Sequence, residues 1–233
     1  MLDSASHSHF CIILEMTSER IGSALNEFST CDIGDALVKL KYPNGGFLDG
    51  ITMYSPDRHD AKLFGQVITV KMVDAACKTS PSLPKHFCDY NEAGKVMFVS
   101  QPHGMYSACW GGLMTTRAKY LGAKGVVVDG RFRDIGEHRD MDFPVFARGQ
   151  SILGSNGFTR ASEVNIPVQF KDELWIQPGD YIMGDADGVV VIPVSHIDAV
   201  VEFCTTRKKI DELTFEALRS GEPIGEAIKR LRQ

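Results

Sequence analysis

Arg133, Asp134 and Glu137 stand together just after a short apolar run, Gly125–Asp129 (GVVVD), and Gly111-Gly112 precede them by about twenty residues. An arginine offers a carboxylate or phosphate a planar, permanently charged fork. A carboxylate beside it, with another three residues on, suits a hard divalent cation such as Mg²⁺ that keeps several waters. A helix opened by glycines adds unpaired backbone N–H groups, positive partial charge and room for close approach. Together these groups could hold a small anion between a metal, an arginine and a helix terminus.

The elements between them must bring the two stretches together. Met114, Ala118 and Leu121 fall at helical spacing after Gly111-Gly112, and Gly122 is a natural stop. A helix of about ten residues climbs ~15 Å, and a strand of five or six returns over ~17–20 Å. Arg131-Phe132-Arg133-Asp134 are thereby carried back toward Gly111-Gly112-Leu113-Met114. By itself this spacing more often gives a surface ion pair worth little, and geometry of this kind does not establish function.

The rest of the chain reads as one α/β domain with a strand-rich core and helices on its flanks. Ile21, Leu25 and Phe28 repeat helically, as do Ile33, Ala36, Leu37 and Leu40 after a break at Ser29-Thr30. Val67–Met72 and Val96–Ser100 read as strands, separated by a polar excursion holding Pro81 and Pro84. Three later strands, at 173–176, 181–183 and 189–192, are divided by Pro178-Gly179 and Asp187-Gly188, which predicts a β-meander. A long amphipathic helix from Ser195 to Arg219 and a short one carrying Ile224, Ile228 and Leu231 close the chain. Residues 1–15 read as a mobile extension, with His7 and His9 as decoration, and 16–233 as the folded domain; Thr17-Ser18-Glu19-Arg20 looks like a helix entry.

Composition excludes several classes. The 233 residues carry 25 basic and 30 acidic side chains, a formal charge of -5, which argues against a broad nucleic-acid surface. No apolar run approaches the ~18–20 residues needed to cross a bilayer, so the expectation is a cytoplasmic protein. The six cysteines are scattered without a C-x-x-C pair, giving neither a zinc site nor a disulfide framework.

Weaker candidates are also present. Asp185-Ala186-Asp187-Gly188 faintly resembles a Ca²⁺ loop but fits a hairpin turn better. His103 could line the same pocket as Gly111, and His138 lies next to Glu137. Met105, Tyr106 and Trp110 read as packing residues, one of which could wall the cavity. Lys119 and Lys124 look solvent-facing, which disfavours a Schiff-base route.

The run CWGGLMTTRAKYLGAKGVVVDGRFRDIGEHRDMDFPVFARG resembles the RraA-like family, which includes the 4-hydroxy-4-methyl-2-oxoglutarate aldolases. Gly112, Arg133, Asp134 and Glu137 match its G-x20-R-D-x2-E/D pattern. The likeness extends to Asp35-Ala36-Leu37, Pro178-Gly179-Asp180 and Gly184–Val189, covers nearly everything from Thr17 onward, and looks closest to fungal members. It implies a swivelling β/β/α domain and a metal-dependent aldolase that splits 4-hydroxy-4-methyl-2-oxoglutarate into two pyruvates. Decarboxylation of oxaloacetate through the same pyruvate enolate is implied too.

By that resemblance Asp134 binds the metal, Mg²⁺ or Mn²⁺, and Arg133 contacts the substrate and the developing enolate. The amides of Gly111, Gly112, Leu113 and Met114 hold the pyruvyl carboxylate, and Glu137 orients Arg133 or a metal-bound water. Partners are small 2-oxo acids and further copies of the chain in a homotrimer or hexamer, with no nucleic acid or membrane. Many bacterial aldolases of the family have an aspartate where this chain has Gly112, which leaves fewer acidic groups near the metal waters. The alternative function is that of the non-catalytic RraA-type regulators that bind a ribonuclease. Those bacterial regulators lack the Arg-Asp pairing, so Arg133-Asp134 favours the enzyme.

Overall fold

The computed structural model describes Gly22 and residues 24–232. The expectations for residues 1–15, for His7 and His9 and for the helix entry at 17–20 lie outside the described residues. The elements in order are α1 (Thr30–Lys39), β1 (Thr52–Ser55), β2 (Leu63–Asp74), β3 (Val96–Ser100), β4 (Ala108–Trp110), α2 (Gly112–Tyr120), β5 (Gly125–Phe132) and α3 (Ile135–Asp140). They continue with β6 (Val145–Gln150), β7 (Thr159–Val164), β8 (Val168–Lys171), β9 (Leu174–Ile176), β10 (Tyr181–Asp185), β11 (Gly188–Ile192), α4 (Ile197–Arg219) and α5 (Ile224–Leu231).

Nine strands form one mixed sheet, with the path β1-β6-β5-β3-β2-β10-β11. β2, β3, β5 and β6 run parallel, and short β4 lies parallel to the end of β5. The long β2 serves three partners. Its first residues pair antiparallel with β10, its middle with β3, and Val70–Asp74 with β7.

Period-two alternation divides the core. Ile68, Met97, Val126 and Val128 face one side, packed with Trp110, Phe132 and Ala118 of α2. Val67, Val96, Phe98 and Val127 face the other, beneath Phe170, Leu174 and Ile176. Central strands covered on both faces need apolar residues at every position, and Gly125–Asp129 is buried throughout. A third cluster packs α1 and α4 on β10–β11 through Ile33, Leu37, Met183, Ile192 and Val200. Ser29 starts α1 with a capping box: its hydroxyl accepts from Asp32 N–H (3.2 Å) while Asp32 accepts from Ser29 N–H (2.9 Å).

Two details differ from the sequence expectation. Of the three strands foreseen in series, β10 and β11 form the hairpin, but β9 pairs with β8 in a separate two-stranded sheet. Leu174 and Ile176 bury themselves over Phe98 rather than alongside β10. The segment after Asp134, read only as a site, also folds as the six-residue helix α3.

Candidate active site

β4 delivers the chain to the start of α2, and β5, parallel to β4, delivers it to the start of α3. Arg133 N–H donates to Trp110 O (3.0 Å), which ties the two strand ends together. Asp134, the N-cap of α3, has left-handed φ/ψ of 66/43, a region that Asp tolerates better than most residues. This turn points its carboxylate at the other helix: Gly112 N–H donates to Asp134 Oδ2 at 3.0 Å. Arg133 Nε lies 3.4 Å from the same oxygen, with both side chains partly exposed. Arg133 and Asp134 thus meet the paired glycines across 22 residues of sequence.

Glu137 joins them from α3. A Cβ built on Gly112 would fall 1.5 Å from Glu137 Oε2, and one on Gly111 would fall 2.7 Å from Asp134 Oδ2. Both glycines therefore serve close approach of carboxylates to the helix start. Glu137 Oε2 fills the space that a side chain at Gly112 would take. The backbone donors are not all open: Gly112 N–H is committed to Asp134, and Met114 N–H donates to Gly111 O at 3.0 Å. Gly111 and the exposed Leu113 are the remaining amides of that set.

A cavity of about 90 Å³ lies between the two strand ends, lined by Trp110, Gly111, Leu113, Met114, Arg133 and Asp134. Trp110 is the aromatic wall and is itself fixed by its indole N–H donating to Thr115 Oγ1 (2.8 Å). Tyr106, by contrast, is 60% exposed and edge-on to Phe158, because its loop leaves the sheet before β4. A larger cleft of about 830 Å³ lies elsewhere, among Lys71, Arg148, Phe170 and Lys171, and His103 lines that cleft instead. His103 thus does not join Arg133 and Asp134.

His138 is fully buried, and Phe132 packs against its ring at 5.5 Å. Its Nε2 is 2.7 Å from Arg133 O, beneath the site rather than in it. Burial pushes its pKa below the ordinary histidine value, against the Arg133 carbonyl bond. Asp185, of the faint Ca²⁺ motif, is spent on structure: it accepts from Thr30 N–H (2.8 Å), Thr30 Oγ1 (2.6 Å) and Asp187 N–H (3.0 Å).

Among the described residues no three His, Cys, Asp or Glu side chains converge to hold a metal. A closed zinc-type site is therefore unsupported. One carboxylate, Asp134, with Glu137 nearby, fits a hard cation that keeps most of its waters. No helix among the described residues is long and apolar enough to cross a membrane.

The RraA-like family profile, described as Aldolase/RraA, matches residues 30–191. The chain is 29% identical over 223 residues to protein MJ0644 of Methanocaldococcus jannaschii, itself uncharacterized, spanning 93% of this chain and 98% of the relative. It is 35% identical over 125 residues to a Halalkalibacterium halodurans protein provisionally named a 4-hydroxy-4-methyl-2-oxoglutarate aldolase, spanning 54% of this chain and 59% of that one. A crystal structure of an uncharacterized protein from Pseudomonas syringae pv. tomato superposes with a TM-score of 0.77 at 27% identity, covering 90% and 96% of the two chains.

Proposed function

The chain belongs to the RraA-like (Aldolase/RraA) family, and on that premise we propose that it is a divalent-metal-dependent carbon–carbon lyase acting on 2-oxo acids. The substrates are 4-hydroxy-4-methyl-2-oxoglutarate, cleaved to two pyruvates, and oxaloacetate, decarboxylated to one. The observation that carries the reading is the meeting of Asp134 and Arg133 with the first turn of α2 at one small cavity.

The first turn of α2 binds the carboxylate of the pyruvyl unit through Leu113 and Gly111 N–H groups, aided by the helix's positive end. Arg133 lies beside that anion and offsets the negative charge that grows on the C2 oxygen as the enolate forms. A cation on Asp134, Mg²⁺ or Mn²⁺, supplies Lewis-acid polarisation of that oxygen when bound. Glu137, beside Gly112, accepts the C4 hydroxyl proton as the C3–C4 bond breaks. The C4 fragment leaves as pyruvate, and a proton returned to C3 of the enolate gives the second. In oxaloacetate the departing group is CO₂, so only the final protonation is needed.

The test is pyruvate release from each substrate with Mg²⁺, after chelation, and in Asp134→Asn. Asn tolerates the left-handed turn and still accepts from Gly112 N–H, so the variant keeps its fold. Turnover that needs metal and falls at least a hundredfold in Asp134→Asn is expected. No metal-dependent turnover in the native chain would overturn the reading and leave a binding protein.

The same proposal includes self-association as a trimer or hexamer in a cytoplasmic setting. Leu213, Phe215, Ile224 and Ile228 stay exposed on α4 and α5, an apolar surface that a neighbouring copy would cover. A monomeric mass by light scattering at micromolar concentration would refute it.

A further inference from the structure

We infer that His138 is a positioning residue for the reaction, holding the Arg133–Asp134 peptide in the one orientation that turns both side chains toward α2. The inference rests on the proposed lyase function for its kinetic arm and on the buried geometry for the rest.

Arg133 is held at both of its backbone groups. Its N–H donates to Trp110 O at 3.0 Å, and its C=O lies 2.7 Å from His138 Nε2. A carbonyl only accepts, so the imidazole carries its proton on Nε2. His138 Nδ1 is buried and has no partner among the described residues. An imidazolium would leave a second donor unpaired there, whereas the neutral ring leaves only an acceptor unpaired.

The residue after this carbonyl needs holding. Asp134 sits at φ 66, a conformation that non-glycine side chains keep only where surroundings over-determine it. The carboxylate reaches Gly112 N–H from that turn, and α3 starts from it. His138 N–H also donates back to Asp134 O at 3.3 Å, so one residue of α3 grips both sides of the turn. A small rotation of this peptide would swing Asp134 away from Gly112 and Arg133 off the cavity wall. Misplacement of about an ångström costs reacting groups as much as a hundredfold in rate.

The experiment compares His138→Gln with His138→Leu in the full-length chain. Gln can donate to the same carbonyl; Leu fills the apolar site without donating. Positioning predicts that Leu lowers kcat at least tenfold with KM changed less than threefold, and that Gln keeps kcat within threefold of native. A packing role predicts the opposite order, Leu near native and Gln impaired. That order, or native kinetics in both variants, overturns the inference. An activity-free arm is long-range ¹H–¹⁵N NMR of the native imidazole at neutral pH. A proton on Nε2 is expected; an Nδ1–H tautomer, whose bare Nε2 cannot donate to Arg133 O, overturns the inference even if Leu fails to fold. Should the native chain turn over neither substrate, the lyase reading fails, while the tautomer still decides whether His138 grips Arg133.

Discussion

Glu137 occupies the space that any side chain on Gly112 would need, its Oε2 lying 1.5 Å from where a Cβ would stand. Gly112→Ala therefore forces Glu137 out. The carboxylate is the far end of an exposed, flexible side chain, so it can swing into solvent at little cost to the fold. Stability should change by less than about 1 kcal/mol, while kcat for cleavage of the hydroxy diacid falls about a hundredfold or more, the usual loss when a general base is moved. Glu137→Ala should cost as much, and the double variant no more than either, because both remove the same carboxylate. Additive losses in steady-state kinetics would show that Gly112 and Glu137 act separately.

Asp129 and Arg148 form a buried-to-surface ion pair, with the carboxylate side chain 2% exposed and the guanidinium 32% exposed. Burial raises the Asp129 pKa above its ordinary 3.8, and Arg148 opposes that rise. The folded state thus favours the protonated acid, so its contribution to stability is greatest in acid and is lost as pH rises through the folded value. Arg148→Met keeps an apolar stem but removes the guanidinium that stacks on Phe170 and pairs with Asp129, leaving the carboxylate unpaired. The loss should reach about 3–5 kcal/mol at pH 7.5 and be smaller at a lower pH, because burial without Arg148 favours the protonated carboxyl. Thermal melting at both pH values reads this directly; an equal deficit at each would mean Asp129 is not the source.

Asp185 should matter more to folding than its place in a hairpin turn suggests. It joins the β10–β11 turn to the first residue of α1 through three hydrogen bonds and is 7% exposed. Asp185→Ala strands Thr30 N–H and Asp187 N–H, at a cost of about 3 kcal/mol. Urea unfolding is the measurement, and a midpoint unchanged from native would contradict the argument.

The legible parts of the sequence were those whose local signals agree. Gly125–Asp129 is apolar at every position, and Gly122 ends the preceding helix in a left-handed turn. These fixed the α2–β5 return and hence the meeting of Gly112 with Asp134. The α3 helix was not legible: IGEHRD is six residues without apolar periodicity, and it starts from a left-handed aspartate. Glu137 filling the Gly112 gap and His138 reaching Arg133 O both depend on the direction α3 takes, so spacing alone could not reveal them. His138 beside Glu137 was a visible hint, but of proximity and not of role. β9 escaped its expected place because Leu174 and Ile176 fit either a meander or a cover for the sheet, and only tertiary packing selects the second.

Cys77 should be the most readily alkylated of the described cysteines. The hydroxyls of Ser80 and Thr79 lie 3.3 and 3.5 Å from its Sγ, and their hydrogen bonds, that of Ser80 first, bring its pKa down to about 6. Burial instead pushes Cys88, Cys109 and Cys204 up to about 12, and Cys31 is raised, chiefly by burial with Asp187 next. The thiolate is the nucleophile, so Cys77, with its lowered pKa, should react ahead of Cys31, Cys88, Cys109 and Cys204, whose values are raised. Iodoacetamide labelling followed by peptide mass should rise for Cys77 with a midpoint near pH 6, well ahead of Cys31. Ser80→Ala removes the larger contribution and should move that midpoint upward. Labelling of Cys77 that begins only above pH 8, as for an ordinary thiol, would mean that the two hydroxyls do not hold the thiolate in solution.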